Sequence, residues 1–135
     1  MAFIYDRIVR FQDTDAAGVV FFSNLLTICH EAYEEMLRWR GIDLKLFFQH
    51  PDFALPIVHA EVDFYQPVFC GDRLQVCVLP ERLGTDKFKL VYQIDRGSKE
   101  VAAVGPVAQA FTVHLCIHPQ TRQRQALPVL LQDFF

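Results

Sequence analysis

The chain has 135 residues, a net charge of -3 at pH 7 and a hydrophobic fraction of 52%. A chain of this length is expected to fold as one domain over residues 1–135, which buries roughly two-thirds of its unfolded surface without metal or disulfide support. It contains no basic run that could follow a phosphate backbone and no apolar run near the roughly 20 residues of a membrane span, so neither nucleic acid nor a membrane is an expected partner.

The chain begins with a predicted strand followed by a polar loop. Residues 3–11 alternate in hydrophobicity and contain no turn-forming residue, which is typical of a strand. Residues 12–20 form the loop, where Gly18 occupies a position that could need a positive φ angle or a close approach of the backbone. Asp15 lies in this loop, a few residues before an apolar segment.

A long amphipathic helix is predicted over residues 24–40. Its apolar residues recur at helical spacing and are Leu25, Ile28, Cys29, Ala32, Tyr33 and Met36. The side-chain oxygen of Ser23 or Asn24 is placed to cap the first turn, and Gly41 ends the helix. A carboxylate held in a loop beside the exposed amides of a helix N-terminus is a suitable setting for acyl-transfer chemistry.

A loop over residues 41–55 precedes a run of strands that continues almost to the end of the chain. Residues 58–64 alternate strictly, so one face of this strand is expected to contact the helix. The next two strands alternate in the same way, with Leu74, Val76 and Val78 in one and Phe88, Leu90, Tyr92 and Ile94 in the other. The last strand is predicted over residues 101–118, with a bulge or bend at Gly105 and Pro106.

The end of the chain is predicted to form a short helix with Pro128 as its first residue and its apolar side chains as docking groups. One long helix followed by successive antiparallel hairpins predicts an α+β fold, in which a curved antiparallel sheet wraps around a central helix. Each fully buried Leu, Ile, Met or Phe contributes roughly 1.5–3 kcal/mol, so burial of the apolar stripe of the helix is the main source of stability.

The four cysteines are widely scattered, without the close spacing of zinc or redox sites. We interpret them as free buried thiols, which together with the polar N-terminus indicates a reducing, cytoplasmic compartment. The 13 phenylalanines exceed what one small core needs, so part of the apolar surface is expected at a subunit interface.

The segment over residues 13–24, Asp-Thr-Asp-Ala-Ala-Gly-Val-Val-Phe-Phe-Ser-Asn, resembles a motif of hotdog-fold thioesterases of the 4-hydroxybenzoyl-CoA thioesterase family. The order of elements agrees with that family along nearly the whole chain. Residues 28–35, 55–60 and 69–72 resemble a narrower branch, the 1,4-dihydroxy-2-naphthoyl-CoA hydrolases of phylloquinone synthesis in cyanobacteria.

The resemblance implies hydrolysis of an acyl-CoA thioester, most closely 1,4-dihydroxy-2-naphthoyl-CoA. It implies that Asp15 is the catalytic carboxylate and that the backbone N–H of Phe22 polarises the thioester carbonyl. Asp15 could attack the carbonyl carbon as a nucleophile or activate water as a general base, and both roles stay open. The family also implies a homodimer with active sites at the subunit interface, often paired into a homotetramer. No cofactor is expected.

Several further residues are assigned to substrate binding. Gly18, Phe11, Phe21 and His59 are expected to contact the substrate, and Lys87 and Lys89 the phosphates of CoA. In a related branch, Tyr and His stand where this chain has Phe11 and Phe22, so the apolar lining favours a flat aromatic acyl group.

His59, Glu61 and Asp63 share a strand face but are spaced about 7 Å apart without further ligands, so no metal site is expected. Asp13 is expected to hold the loop.

Two other functions stay open on the sequence. One is hydrolysis of an aliphatic acyl-CoA or of an acyl group on a carrier protein. The other is a non-catalytic acyl-binding hotdog module, which would bind the thioester without turning it over. A hotdog dehydratase is less favoured, because the pairing of a histidine with an acid that such enzymes use has no clear counterpart.

Overall fold

A computed structural model describes residues 2–97 and 105–135. Its strands are β1 (Phe3–Ile8), β2 (Ile57–Phe64), β3 (Arg73–Arg82), β4 (Lys87–Arg96) and β5 (Ala108–Leu115). They form one five-stranded antiparallel sheet in the order β1-β3-β4-β5-β2. The helices are α1 (Phe22–Trp39), α2 (Leu44–Phe48) and short 3-10 helices at Phe11–Asp13 and Val129–Phe134.

The core lies between α1 and one face of the sheet. The buried residues of α1 are Leu25, Ile28, Cys29, Ala32, Tyr33, Met36 and Leu37. They belong to one apolar cluster with the inward-facing residues of the central strands, Leu74, Val76 and Val78 of β3 and Phe88, Leu90, Tyr92 and Ile94 of β4. The predicted α+β architecture is confirmed, and so is the predicted alternation along β3 and β4.

The start of α1 differs from the prediction. The helix begins at Phe22, so Ser23 and Asn24 lie in its first turn, and the N-cap is Phe21, whose hydrocarbon side chain cannot accept a hydrogen bond. The prediction that Ser23 or Asn24 caps the helix was therefore wrong. Asn24 instead donates from Nδ2 to the Asp13 carbonyl at 3.0 Å. Gly41, with a φ of +80°, follows the helix and ends it as predicted.

The predicted loop over residues 41–55 contains a short helix, α2. Its N-cap, Asp43, accepts a hydrogen bond from the Leu46 N–H at 3.2 Å. The first strand ends at Ile8, earlier than predicted, because the chain turns there toward a 3-10 helix. Pro128 is the N-cap of the last 3-10 helix and not its first residue.

The last strand is shorter than predicted in the part of the chain that can be compared. It begins at Ala108 and ends at Leu115, and residues 101–104 of the predicted strand lie outside the described residues. Gly105 has a φ of +81°, which places a sharp change of direction before the strand, where a bend was predicted.

The edge strand β2 leaves much of its apolar surface uncovered. A register shift places a bulge at Val58, which is 54% exposed, and Phe64 at the other end of the strand is 52% exposed. Ala60, Val62 and Phe64 pair with inward-facing Thr112, Ala110 and Ala108, so they lie on the face toward α1, but Ala60 and Phe64 remain exposed. The predicted contact between the apolar face and the helix is therefore incomplete.

All four cysteines are free thiols, but the prediction that all are buried was wrong. Cys29 and Cys116 are buried, Cys77 is half-buried, and Cys70 is exposed in the turn before β3. Among the described helices, none combines the length and apolar character needed to cross a membrane.

Candidate active site

The loop before α1 folds back on itself as a short antiparallel ladder. Its rungs are the Phe21 N–H to the Asp13 carbonyl at 2.9 Å, the Thr14–Val20 bridge, and the Asp15 N–H to the Val19 carbonyl at 2.9 Å. Gly18 makes the turn with a φ of +84°, and its N–H donates to the Asp15 carbonyl at 3.0 Å. Asp15 therefore lies at the turn end of the ladder, and α1 begins at the other end.

The Asp15 carboxylate is held by one oxygen. Its Oδ1 accepts a hydrogen bond from the Ala17 N–H at 2.9 Å, as in an Asx-turn. The side chain is half-buried, and within the part of the chain that the structure describes Oδ2 has no hydrogen-bond partner. One contact therefore orients the carboxylate while the other oxygen remains available to an electrophile or a water molecule.

Phe22 is the first residue of α1, so no carbonyl one turn earlier in the helix accepts its N–H. This N–H lies at the positive end of the helix dipole, where developing negative charge is stabilised. Asn24, two residues later, already donates its N–H to the Phe21 carbonyl at 2.9 Å. The Phe22 amide can therefore act as a donor toward an oxyanion.

Three phenylalanine rings around this loop face solvent. Phe11 is 83% exposed, Phe22 is 63% exposed and Phe21 is 42% exposed. The rings of Phe21 and Phe22 are in contact, with centroids 4.7 Å apart. Exposed apolar groups concentrated at one place mark a surface that a ligand or another chain covers.

An apolar cavity of about 300 Å³ lies beside the ladder. Its lining residues come from the loop, α1, the end of β2 and the segment before β5: Val19, Val20, Leu25, Phe64, Tyr65, Gln66, Pro67, Val68, Val107 and Ala108. Gly18, Phe11 and Phe21 do not line it, although the sequence assigned them to substrate binding. This cavity was not predicted from the sequence, in which the two valines that follow Gly18 are a local apolar signal.

The other predicted substrate contacts lie on the opposite face of the sheet. The His59 ring stacks on Phe111 with centroids 5.4 Å apart, and Lys89 Nζ lies 4.8 Å from the centroid of the same ring. Lys87, two residues before Lys89 on β4, shares that face. The structure thus brings His59 and Lys89 together, and it separates them from the Asp15 loop by the thickness of the sheet.

These outward-facing groups are paired with carboxylates. His59 Nε2 lies 2.9 Å from Glu61 Oε1, and Lys89 Nζ lies 3.8 Å from Glu81 Oε2. Within residues 2–97 and 105–135, no group of three or more His, Cys, Asp or Glu side chains is arranged to hold a metal ion.

Asp13 has a different environment from Asp15. Its side chain is buried, forms an ion pair with Arg7, and accepts a hydrogen bond from the Arg10 N–H at 2.8 Å. Burial alone would raise the pKa of Asp13, but the hydrogen bonds from Arg7 and Arg10 outweigh it and hold the pKa below its usual value. The structure therefore places Asp13 as an anchor of the loop, in agreement with the structural role expected for it.

Residues 9–135 match the thioesterase-like superfamily. The 1,4-dihydroxy-2-naphthoyl-CoA hydrolase of Nostoc punctiforme is 52% identical over 128 residues, covering 95% of this chain and 82% of that protein. The protein of the same name from Trichodesmium erythraeum is 53% identical over 127 residues, covering 94% of this chain and 90% of that protein.

A solved structure shows the same architecture. The crystal structure of a 1,4-dihydroxy-2-naphthoyl-CoA thioesterase from Synechocystis superposes with a TM-score of 0.91 at 38% identity, covering 98% of this chain and 94% of that chain. The resemblance to hotdog-fold thioesterases, and to the cyanobacterial branch within them, is thereby confirmed. The chain belongs to the thioesterase-like superfamily.

Proposed function

We propose that this protein hydrolyses 1,4-dihydroxy-2-naphthoyl-CoA to 1,4-dihydroxy-2-naphthoate and CoA, a step of phylloquinone biosynthesis. Relatives about half identical over more than nine-tenths of the chain carry the name of this activity. The observation that carries the proposal is the short ladder, which holds the Asp15 carboxylate and the Phe22 amide at the start of α1 on one small unit. One thioesterase domain over residues 1–135 is part of this proposal.

The two groups divide the chemistry between them. In the nucleophilic route, Asp15 Oδ2 attacks the thioester carbonyl carbon, the C–S bond breaks, and CoA leaves as the thiolate. The Phe22 N–H donates to the oxyanion of the tetrahedral intermediate, and water then hydrolyses the mixed anhydride. In the general-base route, Asp15 takes a proton from the water that attacks the same carbon. Both routes yield the carboxylic acid and the CoA thiol.

The acyl group meets apolar surface on this side of the sheet. We assign the exposed rings of Phe11 and Phe21, the Gly18 turn and the cavity beside them to the aromatic acyl group. A cavity of about 300 Å³ is at the lower end of the usual range for small-molecule sites. His59, Lys87 and Lys89 face away from this loop, so in our proposal they bind the CoA of a substrate held by a neighbouring protomer.

The proposed assembly is a homodimer that pairs into a homotetramer in the cytoplasm. β2 is hydrogen-bonded to β5 on one side, and no described strand pairs with its other side. Ile57, Val58, Phe64 and Tyr65 are exposed along or beside this edge. A free edge with apolar side chains is the kind of surface that a second copy of a chain covers.

Replacement of Asp15 by Asn tests the proposed function. The variant keeps the size of the side chain but supplies neither a nucleophile nor a base, so kcat on 1,4-dihydroxy-2-naphthoyl-CoA should fall by a factor on the order of 1000. Normal turnover by the variant would contradict the proposal.

A panel of purified thioesters addresses the alternatives, because a preference for aliphatic acyl chains or carrier-protein thioesters would exclude the naphthoyl substrate.

A single turnover in heavy-oxygen water separates the two routes. If Asp15 is the nucleophile, water that hydrolyses the anhydride at the aspartyl carbon leaves its label in the Asp15 carboxylate, which mass spectrometry of the digested protein detects. If Asp15 is a general base, all of the label enters the naphthoate product. Wild-type protein incubated with product alone is the control for slow exchange.

A further inference from the structure

A buried arginine links the loop before α1, which contains Asp13 and Asp15, to β1 and α1. Arg7 lies on β1, and its side chain is 8% exposed. Its guanidinium forms an ion pair with Asp13 in the loop, where Nη2 lies 3.3 Å from Oδ1. It also binds Glu31 of α1, with Nε to Oε1 at 2.8 Å and Nη2 to Oε2 at 3.2 Å. The Tyr5 hydroxyl donates to Glu31 Oε1 at 3.1 Å.

Asp13 transmits this restraint to the ladder through its backbone. Its carbonyl accepts the Phe21 N–H at 2.9 Å and Asn24 Nδ2 at 3.0 Å, so both the residue before α1 and the first turn of α1 are held to it. The next residues of the same strand of the ladder lead directly to Asp15. The position of Asp13 therefore affects both the carboxylate and the Phe22 amide.

We infer that Arg7 and Asp13 are positioning residues that fix the separation between the Asp15 carboxylate and the Phe22 N–H. The inference rests on the proposed function. Reacting atoms must lie about 3–3.5 Å apart, and a displacement of about 1 Å can lower the rate on the order of 100-fold. The planar, forked guanidinium holds two carboxylates in fixed orientations, which is suited to this task. Neither Arg7 nor Asp13 needs to touch the substrate.

Two single variants that each leave Arg7 with one carboxylate test this inference. Asp13→Asn removes the charge at the loop, and the amide can still accept the Arg10 N–H. Glu31→Gln removes the charge at α1 and leaves the loop contacts intact. Both should lower the melting temperature by similar amounts, because each weakens a pair of the same arginine.

The kinetic effects of the two variants should differ. Measured well below both melting temperatures, Asp13→Asn should lower kcat by about 10- to 100-fold with KM changed less than about threefold, whereas Glu31→Gln should keep kcat within about twofold of wild type. Equal losses of kcat in both variants, or wild-type kcat in Asp13→Asn, would overturn the inference.

A third variant keeps the test decisive if Asp13→Asn does not fold. Asn24→Ala removes one donor to the Asp13 carbonyl and leaves the ion pair in place, so it should lower kcat by several-fold without a matching change in KM. Wild-type kcat in this variant would overturn the inference. Asp15→Asn distinguishes failure of the proposed function from failure of this inference. An active Asp15→Asn variant overturns both. An inactive Asp15→Asn variant together with a fully active Asp13→Asn variant overturns the positioning role alone.

Discussion

The Phe22 amide follows an N-cap whose conformation is well defined. Phe21 has a φ of -64° and a ψ of 139°, the extended region that a residue before proline favours. Proline is also well tolerated as the first residue of a helix, because the N–H that it lacks makes no intrahelical bond there. The proposed oxyanion donor can therefore be deleted by a substitution that the backbone accepts.

Phe22→Pro should lower kcat by about 100- to 1000-fold, the usual cost of losing one oxyanion donor. Phe22→Ala is the matched control, because it removes the same ring and keeps the N–H. Steady-state kinetics on the naphthoyl thioester, with circular dichroism to confirm that α1 persists, measures the difference. Equal activity of the two variants would show that the Phe22 amide is not a donor in the reaction.

A second residue with an unusual environment is His114 on β5. It is 1% exposed, stacks on Phe88 with centroids 4.6 Å apart, and places Nε2 2.8 Å from the Thr112 hydroxyl. Among the described residues, Nδ1 has no hydrogen-bond partner. Burial, with a smaller effect from the charge of His30, lowers the pKa of His114 from 6.5 to about 3. The folded protein therefore holds this ring neutral.

This burial predicts a loss of stability in mild acid. Below its ordinary pKa of 6.5, His114 binds a proton in the unfolded chain but stays neutral in the folded chain down to about pH 3. The free energy of unfolding should therefore fall by about 1.4 kcal/mol per pH unit as the pH decreases through this window. Urea titrations between about pH 6 and pH 4.5 measure the slope. His114→Gln should flatten it, and an unchanged slope would contradict this source.

At the scale of the element, the ladder depends on its turn. Gly18 has a φ of +84°, and no described heavy atom lies within 4 Å of a Cβ built there, so its need for glycine is conformational and not steric. Gly84, in the turn between β3 and β4, has the same open surroundings without a positive φ. Because neither glycine is crowded, a difference between their alanine variants reports the backbone conformation at Gly18.

Gly18→Ala should destabilise the protein by about 1 kcal/mol and lower kcat, because alanine disfavours the left-handed conformation that closes the ladder. Gly84→Ala should be neutral or slightly stabilising and should keep kcat. Chemical denaturation and kinetics on both variants compare these effects. A Gly18→Ala protein as active and stable as Gly84→Ala would show that the turn tolerates side chains.

The elements that the sequence predicted well are those with long, regular patterns. β3 and β4 each repeat an apolar residue at every second position, and one face of each is buried, so their alternation could be read directly. α2 has only five residues, too few for a helical period to show, and it is held by its Asp43 cap and by the contact of Phe48 with Tyr33 of α1. The start of α1 was misplaced because Asn24, a residue type that favours a cap, instead donates to the Asp13 carbonyl from inside the first turn.

In the candidate site, too, the residues of one continuous motif could be predicted, whereas those brought together only by the fold could not. Asp15 and Phe22 belong to one continuous motif, so they could be proposed from the sequence. The cavity beside them is lined in part by Phe64 and Val107, which come from distant parts of the chain, and no local pattern indicates that they meet. The placement of His59 and Lys89 on the outer face also depends on the register of β2, β4 and β5.

At the scale of the whole molecule, apolar exposure is distributed unevenly. Phe88, Leu90 and Ile94 on the central strand β4 are fully buried, whereas Val58 and Phe64 on β2 remain about half exposed. Burying one such side chain contributes roughly 1.5–3 kcal/mol. For the proposed interface, the β2 edge therefore supplies apolar contact area and backbone groups that no described strand pairs with.

Val58→Lys should weaken the proposed dimer, because it places a charge in the proposed interface. Val129→Lys is the matched control, since Val129 is also an exposed valine, at 76%, but lies on the last 3-10 helix. Size-exclusion chromatography with light scattering at several protein concentrations should show smaller species for Val58→Lys and unchanged mass for Val129→Lys. A monomeric wild-type protein would contradict the proposed assembly.

The ladder before α1 also bears on how such a protein can change over evolutionary time. Asp15 and Phe22 are separated by only six residues, so local chain geometry brings them near each other. The cavity, in contrast, is built from segments far apart in the chain. Substitutions among its lining residues are therefore expected to change which acyl group the proposed site accepts while Asp15 and Phe22 stay in place.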